Sequence, residues 1–248
     1  MTNLSRDLGV QSYTFRAFKD NARVAQLVKE AGLRKIELCG AHANFTDPAQ
    51  FDTVIATYRD AGVDIVSIGV QGFRNDAATE AHFFEFVRRA GCKTMSVTFR
   101  LDATPAAFRT AEKLADKYDI HLAIHNHGGR HWLGCAEMLR HIFATTSPRI
   151  GLCLDTAWAL DSGEDPVKMA EEFAPRLYGV HIKDFVFDSA RKPKDVVVGT
   201  GNLNLPGLVA VLKKVNFAGF AVLEYEGDVN DPLPAVKKCV AAVRAAAQ

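Results

Sequence analysis

GLCLD (Gly151–Asp155), YGVHIK (Tyr178–Lys183) and AVLEYE (Ala221–Glu226) follow one pattern, a short apolar run that ends on a polar side chain able to bind metal. Apolar runs of this length suit the buried strands of a parallel sheet. Ligating residues repeated at the exits of successive buried strands are how a (β/α)8 barrel builds its active site. A fourth exit lies earlier, in HLAIHNHGG (His121–Gly129), where His125, Asn126 and His127 follow the run.

Working outward from these exits, eight β-type runs are expected at Gly9–Tyr13, Lys35–Leu38, Ile65–Ile68, Thr94–Thr98, Leu122–His125, Gly151–Leu154, Tyr178–Ile182 and Ala221–Glu224. Stretches with helical spacing lie between them, such as Ala22, Ala25, Leu27, Val28 and Ala31, or Phe83, Phe84, Val87 and Ala90. EAGLRKIEL, DAGVDIVSI and RAGCKTMSV each place a glycine between helix and strand, where a left-handed residue closes the helix. Strict alternation implies a parallel sheet with helices outside it. Eight units in 248 residues give about 31 residues each, close to the roughly 30 of a βαβ repeat. The fold class expected is therefore α/β, a (β/α)8 TIM barrel, with residues 1–248 as a single domain. No GxGxxG follows the first strand, so a dinucleotide-binding sheet loses its main support. The longest irregular stretch expected is Phe185–Leu205, read as a rim or lid over the site.

Hydrophobic residues make up 48% of the chain, enough for one large core. The 30 Lys and Arg balance the 29 Asp and Glu, so no strong overall field attracts nucleic acid or an anionic membrane. No apolar run reaches the length of a signal peptide or a membrane span, and a cytoplasmic location is expected. The five cysteines lack CxxC spacing and are expected to be reduced. Association into homo-oligomers through outer helices is compatible with this composition.

Side chains alternate along a strand, which sends His181 and Lys183, Cys153 and Asp155, Val222 and Glu224, and His125 and His127 toward the barrel interior and mouth. His125, Asp155, His181 and Glu224 together offer two imidazoles and two carboxylates, a set suited to Mn, Mg, Co or Zn with positions left open for a substrate. The bland alternatives are a helix cap for Asp155 and ordinary core histidines. His127 is either the strand-five ligand in place of His125, an acid or base, or a hydrogen-bonding neighbour. Lys183 is a candidate base if a nearby metal charge favours its neutral form, or else the partner of Asp184 or Glu226. Glu37 is weighed as a substrate-binding group or base against an internal ion pair. Arg100 is weighed as a group that holds a substrate hydroxyl or carboxylate against a plain surface residue. Gly199-Thr200-Gly201 reads as a turn, since no Lys-Ser/Thr completes a P-loop.

At GVQSYTFR (Gly9–Arg16), KIEL, HNHGG, LDTAW (Leu154–Trp158), VHIKD (Val180–Asp184) and VLEYEG (Val222–Gly227), the chain resembles the xylose isomerase-like TIM-barrel superfamily, in particular its sugar phosphate isomerase/epimerase group. That resemblance implies a divalent metal bound by Glu, Asp, His and Glu from strands five to eight. Asp155, His181 and Glu224 match three of these positions, and His125 stands where the epimerases have Glu. The loss of that carboxylate weakens two-base epimerisation. The HNH of strand five also resembles inosose dehydratase-like and keto-glycoside-processing relatives, whose chemistry needs one base. Trp158 replaces a His that contacts substrate in many relatives, and is weighed as an apolar platform for a sugar face against plain packing under the loop. The superfamily's three-zinc abasic-site endonuclease needs a further His and a DxH that this chain lacks.

The expectation is thus a metal-dependent isomerase or epimerase of a keto sugar or related polyol. Glu224, Lys183 and His127 are its candidate acid–base groups, and Glu37, Arg100 and Trp158 orient a small carbohydrate. A lyase of the dehydratase type is the alternative, and a non-catalytic sugar-binding barrel is a further one.

Overall fold

A computed structural model describes residues 1–248. Its strands are β1 (Gly9–Gln11), β2 (Lys35–Leu38), β3 (Asp64–Ile68), β4 (Gln71–Phe73), β5 (Thr94–Phe99), β6 (His121–His125), β7 (Ile150–Asp155), β8 (Leu177–Ile182), β9 (Asp184–Phe187), β10 (Pro193–Val196) and β11 (Phe220–Leu223). Nine of them form one parallel sheet in the order β3-β2-β1-β11-β8-β7-β6-β5-β4. The two ends of that order, β3 and β4, are consecutive pieces of one chain segment joined at Gly69 and Val70. The sheet therefore curls round until its last strand meets its first, giving a nearly closed TIM barrel.

All eight expected strands are present. The ninth, β4, is the continuation of the third run past Ile68, and it pairs with β5 from Gln71↔Val97 to Phe73↔Phe99. The stretch Phe185–Leu205 is a correction to the sequence reading. Much of it is an antiparallel hairpin, β9 against β10, with pairs from Asp184↔Val196 to Phe187↔Pro193. Its alternation was hidden because the polar Pro193-Lys194-Asp195 carries little β-type signal.

Strand parity works as expected. Val180 and Ile182, Leu152 and Leu154, and Leu122 and Ile124 are fully buried in a single cluster of 66 apolar residues. Burial on both faces explains why these runs are continuously apolar. No helix is long and apolar enough to cross a membrane. None of the five cysteines is in a disulfide, and Cys135 alone among them is exposed.

The three helix-to-strand glycines are left-handed, with φ of +78° at Gly32, +72° at Gly62 and +76° at Gly91. Nothing lies within 4 Å of the place a Cβ would take on Gly91, so a substitution there meets backbone strain and no clash. Gly91→Ala is expected to lower the unfolding free energy by about 1–2 kcal/mol, measured by urea denaturation. An unchanged midpoint would contradict this account of the turn.

Candidate metal centre and active site

Register builds the site. Asp155 at the end of β7 pairs directly with His181 of β8. His181 pairs with Val222 of β11, two residues before Glu224, and the Glu224 amide donates to the Ile182 carbonyl at 3.2 Å. His125 pairs with Cys153, two residues before Asp155. One donor atom from each of His125, Asp155, His181 and Glu224 lies within 4.8 Å of the others, and all four residues are buried.

Several of these donors lack partners inside the protein. His125 Nε2 and Asp155 Oδ2 are 3.4 Å apart, and neither makes a hydrogen bond. The other oxygen of Asp155 accepts from the Trp158 amide at 2.9 Å and caps the short helix Thr156–Asp161. Asp155 is thus a helix cap through Oδ1 and a free donor through Oδ2. Its backbone is clamped by Asn126, which accepts from the Asp155 amide at 2.8 Å and donates to the Asp155 carbonyl at 3.0 Å. Buried polar atoms left unpaired cost about 1–3 kcal/mol each, and imidazole nitrogen with carboxylate oxygen suits a hard or borderline divalent ion. The residues fit such an ion.

His181 is held at both nitrogens. Nδ1 lies 3.1 Å from Glu224 Oε2, and Nε2 lies 2.5 Å from Glu37 Oε2, though too poorly aligned to be a full hydrogen bond. Glu37 is itself gripped by Gln11 Nε2 at 2.8 Å and Ser67 Oγ at 2.7 Å, and by Ser96. Burial opposes the Glu37 charge, but His181, Ser96 and Ser67 outweigh it and hold the carboxyl below its usual pKa. Glu37 therefore sits inside the barrel as an internal ion-pair partner and does not line the cavity. Burial opposes a charge on His181, but with carboxylates at both nitrogens its pKa is raised well above that of an ordinary imidazole, and Nδ1, which faces Glu224, would ligate an ion on losing its proton.

Above the cluster opens a cavity of about 540 Å³. Its walls include Gln11, Tyr13, His127, His131, Trp158 and Glu226. Trp158 and His127 stack with centroids 4.4 Å apart and planes 22° apart. Burial, aided by the neighbouring His125 and His131, pushes the His127 pKa down, so its imidazole is neutral near pH 7. Lys183 is buried behind this wall. Its ammonium is paired with Glu226 and lies 3.8 Å from Asp195 and 3.9 Å from Glu224. Burial opposes the Lys183 charge, yet Glu224, Asp155, Glu226 and Asp195 overcome it and raise the pKa above that of ordinary lysine. In this environment Lys183 holds its proton as an ammonium.

Arg100 is not brought to the cavity. Its guanidinium is exposed and paired with Asp102, Nε to Oδ1 at 2.9 Å. The Gly199–Gly201 turn is also committed. The amides of Gly199, Gly201 and Leu203 donate to the buried Asp184 carboxylate at 3.0, 2.8 and 2.9 Å. A Cβ on Gly201 would collide with that same carboxylate.

Sequence reasoning missed Gln11, Tyr13 and His131, which line the cavity, and Asp195, which faces Lys183. Gln11 ends β1 as the other site residues end theirs, and that position was its signal. Asp195 carried none, because its hairpin read as irregular.

Comparison with known proteins agrees with the barrel fold. A family model described as xylose isomerase-like TIM barrel matches residues 25–245. The rhizopine catabolism protein MocC of Rhizobium meliloti is 29% identical over 138 residues, 50% of this chain and 42% of that protein. An inosose dehydratase of Bacillus thuringiensis is 25% identical over 130 residues, 47% of this chain and 44% of that protein. In the matched regions the chain spans less than half the length of these curated relatives. The crystal structure of 3-keto-D-glucoside 4-epimerase from E. coli superposes with a TM-score of 0.74 at 17% identity, covering 97% of this chain and 99% of that one, a likeness of fold.

Burial raises the Asp195 pKa from 3.8 to about 7. Its unfolded form ionises first, so the stability that the protonated carboxyl retains at low pH is lost as pH rises through about 7. Asp195→Asn removes that loss. Relative to the variant, the wild type is expected to lose stability between about pH 4 and pH 7, followed by urea denaturation across pH. A constant difference between the two would contradict the assignment.

Proposed function

We propose that this chain, which belongs to the xylose isomerase-like TIM-barrel family, is a divalent-metal-dependent enzyme that dehydrates a keto-cyclitol or keto sugar. The observation that carries this reading is the convergence of His125, Asp155, His181 and Glu224, with His125 Nε2 and Asp155 Oδ2 left unpaired by the protein. These four residues would hold the ion. A bound divalent ion supplies Lewis-acid polarisation of a ketone and its adjacent hydroxyl, which acidifies the neighbouring C–H bond.

The chain's own residues divide the proton work. His127 is neutral, lines the cavity and is kept in place by its stack on Trp158, which makes it the base that takes the α-proton. Lys183 keeps its proton within a ring of carboxylates and supplies it, through the paired Glu226, to the hydroxyl leaving from the β-carbon. The C–H and C–O bonds break, one C=C bond forms, and water departs. Trp158 lines the cavity and keeps His127 in place by stacking on it. Glu37 and Asn126 keep His181 and Asp155 at fixed angles.

Inosose dehydratase among the relatives supports elimination, and His125 in place of a carboxylate removes one of the two bases that epimerisation uses. The epimerase reading keeps one favourable observation, since Glu224 and Glu226 both line the cavity and either could return a proton to carbon.

In deuterated water, the Mn-loaded protein is expected to release water from 2-keto-myo-inositol. His127→Gln should lower kcat by about 10²- to 10⁴-fold while calorimetric Mn affinity stays unchanged. Deuterium gained at the α-carbon without loss of water would replace elimination with epimerisation. Wild-type turnover by His127→Gln would remove His127 from the base role.

A further inference from the structure

We infer that the cavity is built for an uncharged, unphosphorylated keto-polyol and rejects sugar phosphates and sugar acids; the choice of a keto-polyol rests on the function proposed above, and the charge selectivity rests on the cavity itself. No lysine or arginine lines the cavity. Its charged lining groups are Glu224 and Glu226, accompanied by His125, His127 and His131.

The cations nearest to it are committed elsewhere. Lys183 is buried among Glu224, Glu226 and Asp195. Arg16 lies against the Tyr13 ring at 4.7 Å, and its terminal nitrogens donate to the carbonyls of Tyr13 and Glu226. Arg100 pairs with Asp102 and, with Arg74, borders a separate cleft.

Two backbone features that commonly hold phosphate are filled by the chain's own carboxylates. The N-terminus of the helix Thr156–Asp161 is capped by Asp155. The amides of the turn through Gly199, Gly201 and Leu203 all point at Asp184. Anions bind where amides and positive charge remain free, and at these two features the amides are already taken.

A bound divalent ion leaves no surplus of positive charge. Its two charges are balanced by Asp155 and Glu224, while Lys183 is balanced by Glu226. An entering phosphate or carboxylate therefore loses its water and meets carboxylates without a compensating cation.

The remaining lining matches a neutral ring. Tyr13 and Val70, the exposed large apolar residues of the cavity wall, together with the Trp158 and His127 stack, present flat or apolar surface to C–H faces. Thr98 and His131 offer hydrogen bonds to hydroxyls. A few polar groups among apolar walls is the usual composition of a small-molecule site.

Matched probes test the charge argument: 2-keto-myo-inositol, D-fructose and D-fructose 6-phosphate, each titrated calorimetrically into metal-free and Mn-loaded protein, with inorganic phosphate as competitor. Solvent deuterium uptake and water loss are followed in parallel. The expected result is binding of at least one neutral probe, fructose 6-phosphate weaker than fructose by roughly 100-fold or more, and no competition by phosphate. Fructose 6-phosphate binding as tightly as fructose, or displacement of a neutral probe by phosphate, overturns the inference. If the phosphorylated probe binds best and still exchanges its α-proton, the inference fails and the proposed proton chemistry stands. If a neutral probe binds selectively without exchange or water loss, the inference stands and the proposed chemistry fails.

Discussion

The His181 imidazole, held between Glu37 and Glu224, is the contact on which the rest of the site depends. It joins the second strand of the barrel to the eighth and the last. Glu37 can carry a charge in the barrel interior only because Gln11, Ser67 and Ser96 reach it from three other strands. A buried carboxylate with fewer partners would take up a proton or leave the core. This polar bundle therefore fixes strand register around the barrel as well as the ring angle of His181. The donor atoms above it are positioned by that register, and no flexible loop sets them.

Economy of carboxylates is a second theme. Asp155 uses one oxygen to cap a helix and leaves the other unpaired beside His125. Asp184 gathers three amides of the turn that follows the hairpin. Glu226 shields the Lys183 ammonium from the cavity it lines. Helix end, turn and lysine could each have received an anion from outside, and each is occupied from within. Relatives carry names of both epimerases and dehydratases, so the barrel alone does not set the outcome.

Much of this was legible in the sequence because parallel strands and their exits obey simple rules. The runs in GLCLD, YGVHIK and AVLEYE gave strand positions, and alternation then sent Asp155, His181, Lys183 and Glu224 to one side. The glycines at 32, 62 and 91 marked helix ends by their conformational need alone. What could not be read was set by partners distant in sequence. Glu37 pointed inward by parity, but saturation of its oxygens depends on Ser67 and Ser96, some 30 and 59 residues away. The hairpin of β9 and β10 lacks apolar alternation, so Asp195 was unplaced, and the short β4 follows a glycine that breaks its run. The charge state of Lys183 required knowing that four carboxylates surround it.

The claim that these strand exits form a metal centre is tested most directly by anomalous diffraction from crystals of the protein soaked in Mn(II). The account predicts one strong peak per chain, within coordinating distance of His125, Asp155, His181 and Glu224. A map without a peak there at saturating Mn(II), or with its principal peak held by other residues, would contradict it.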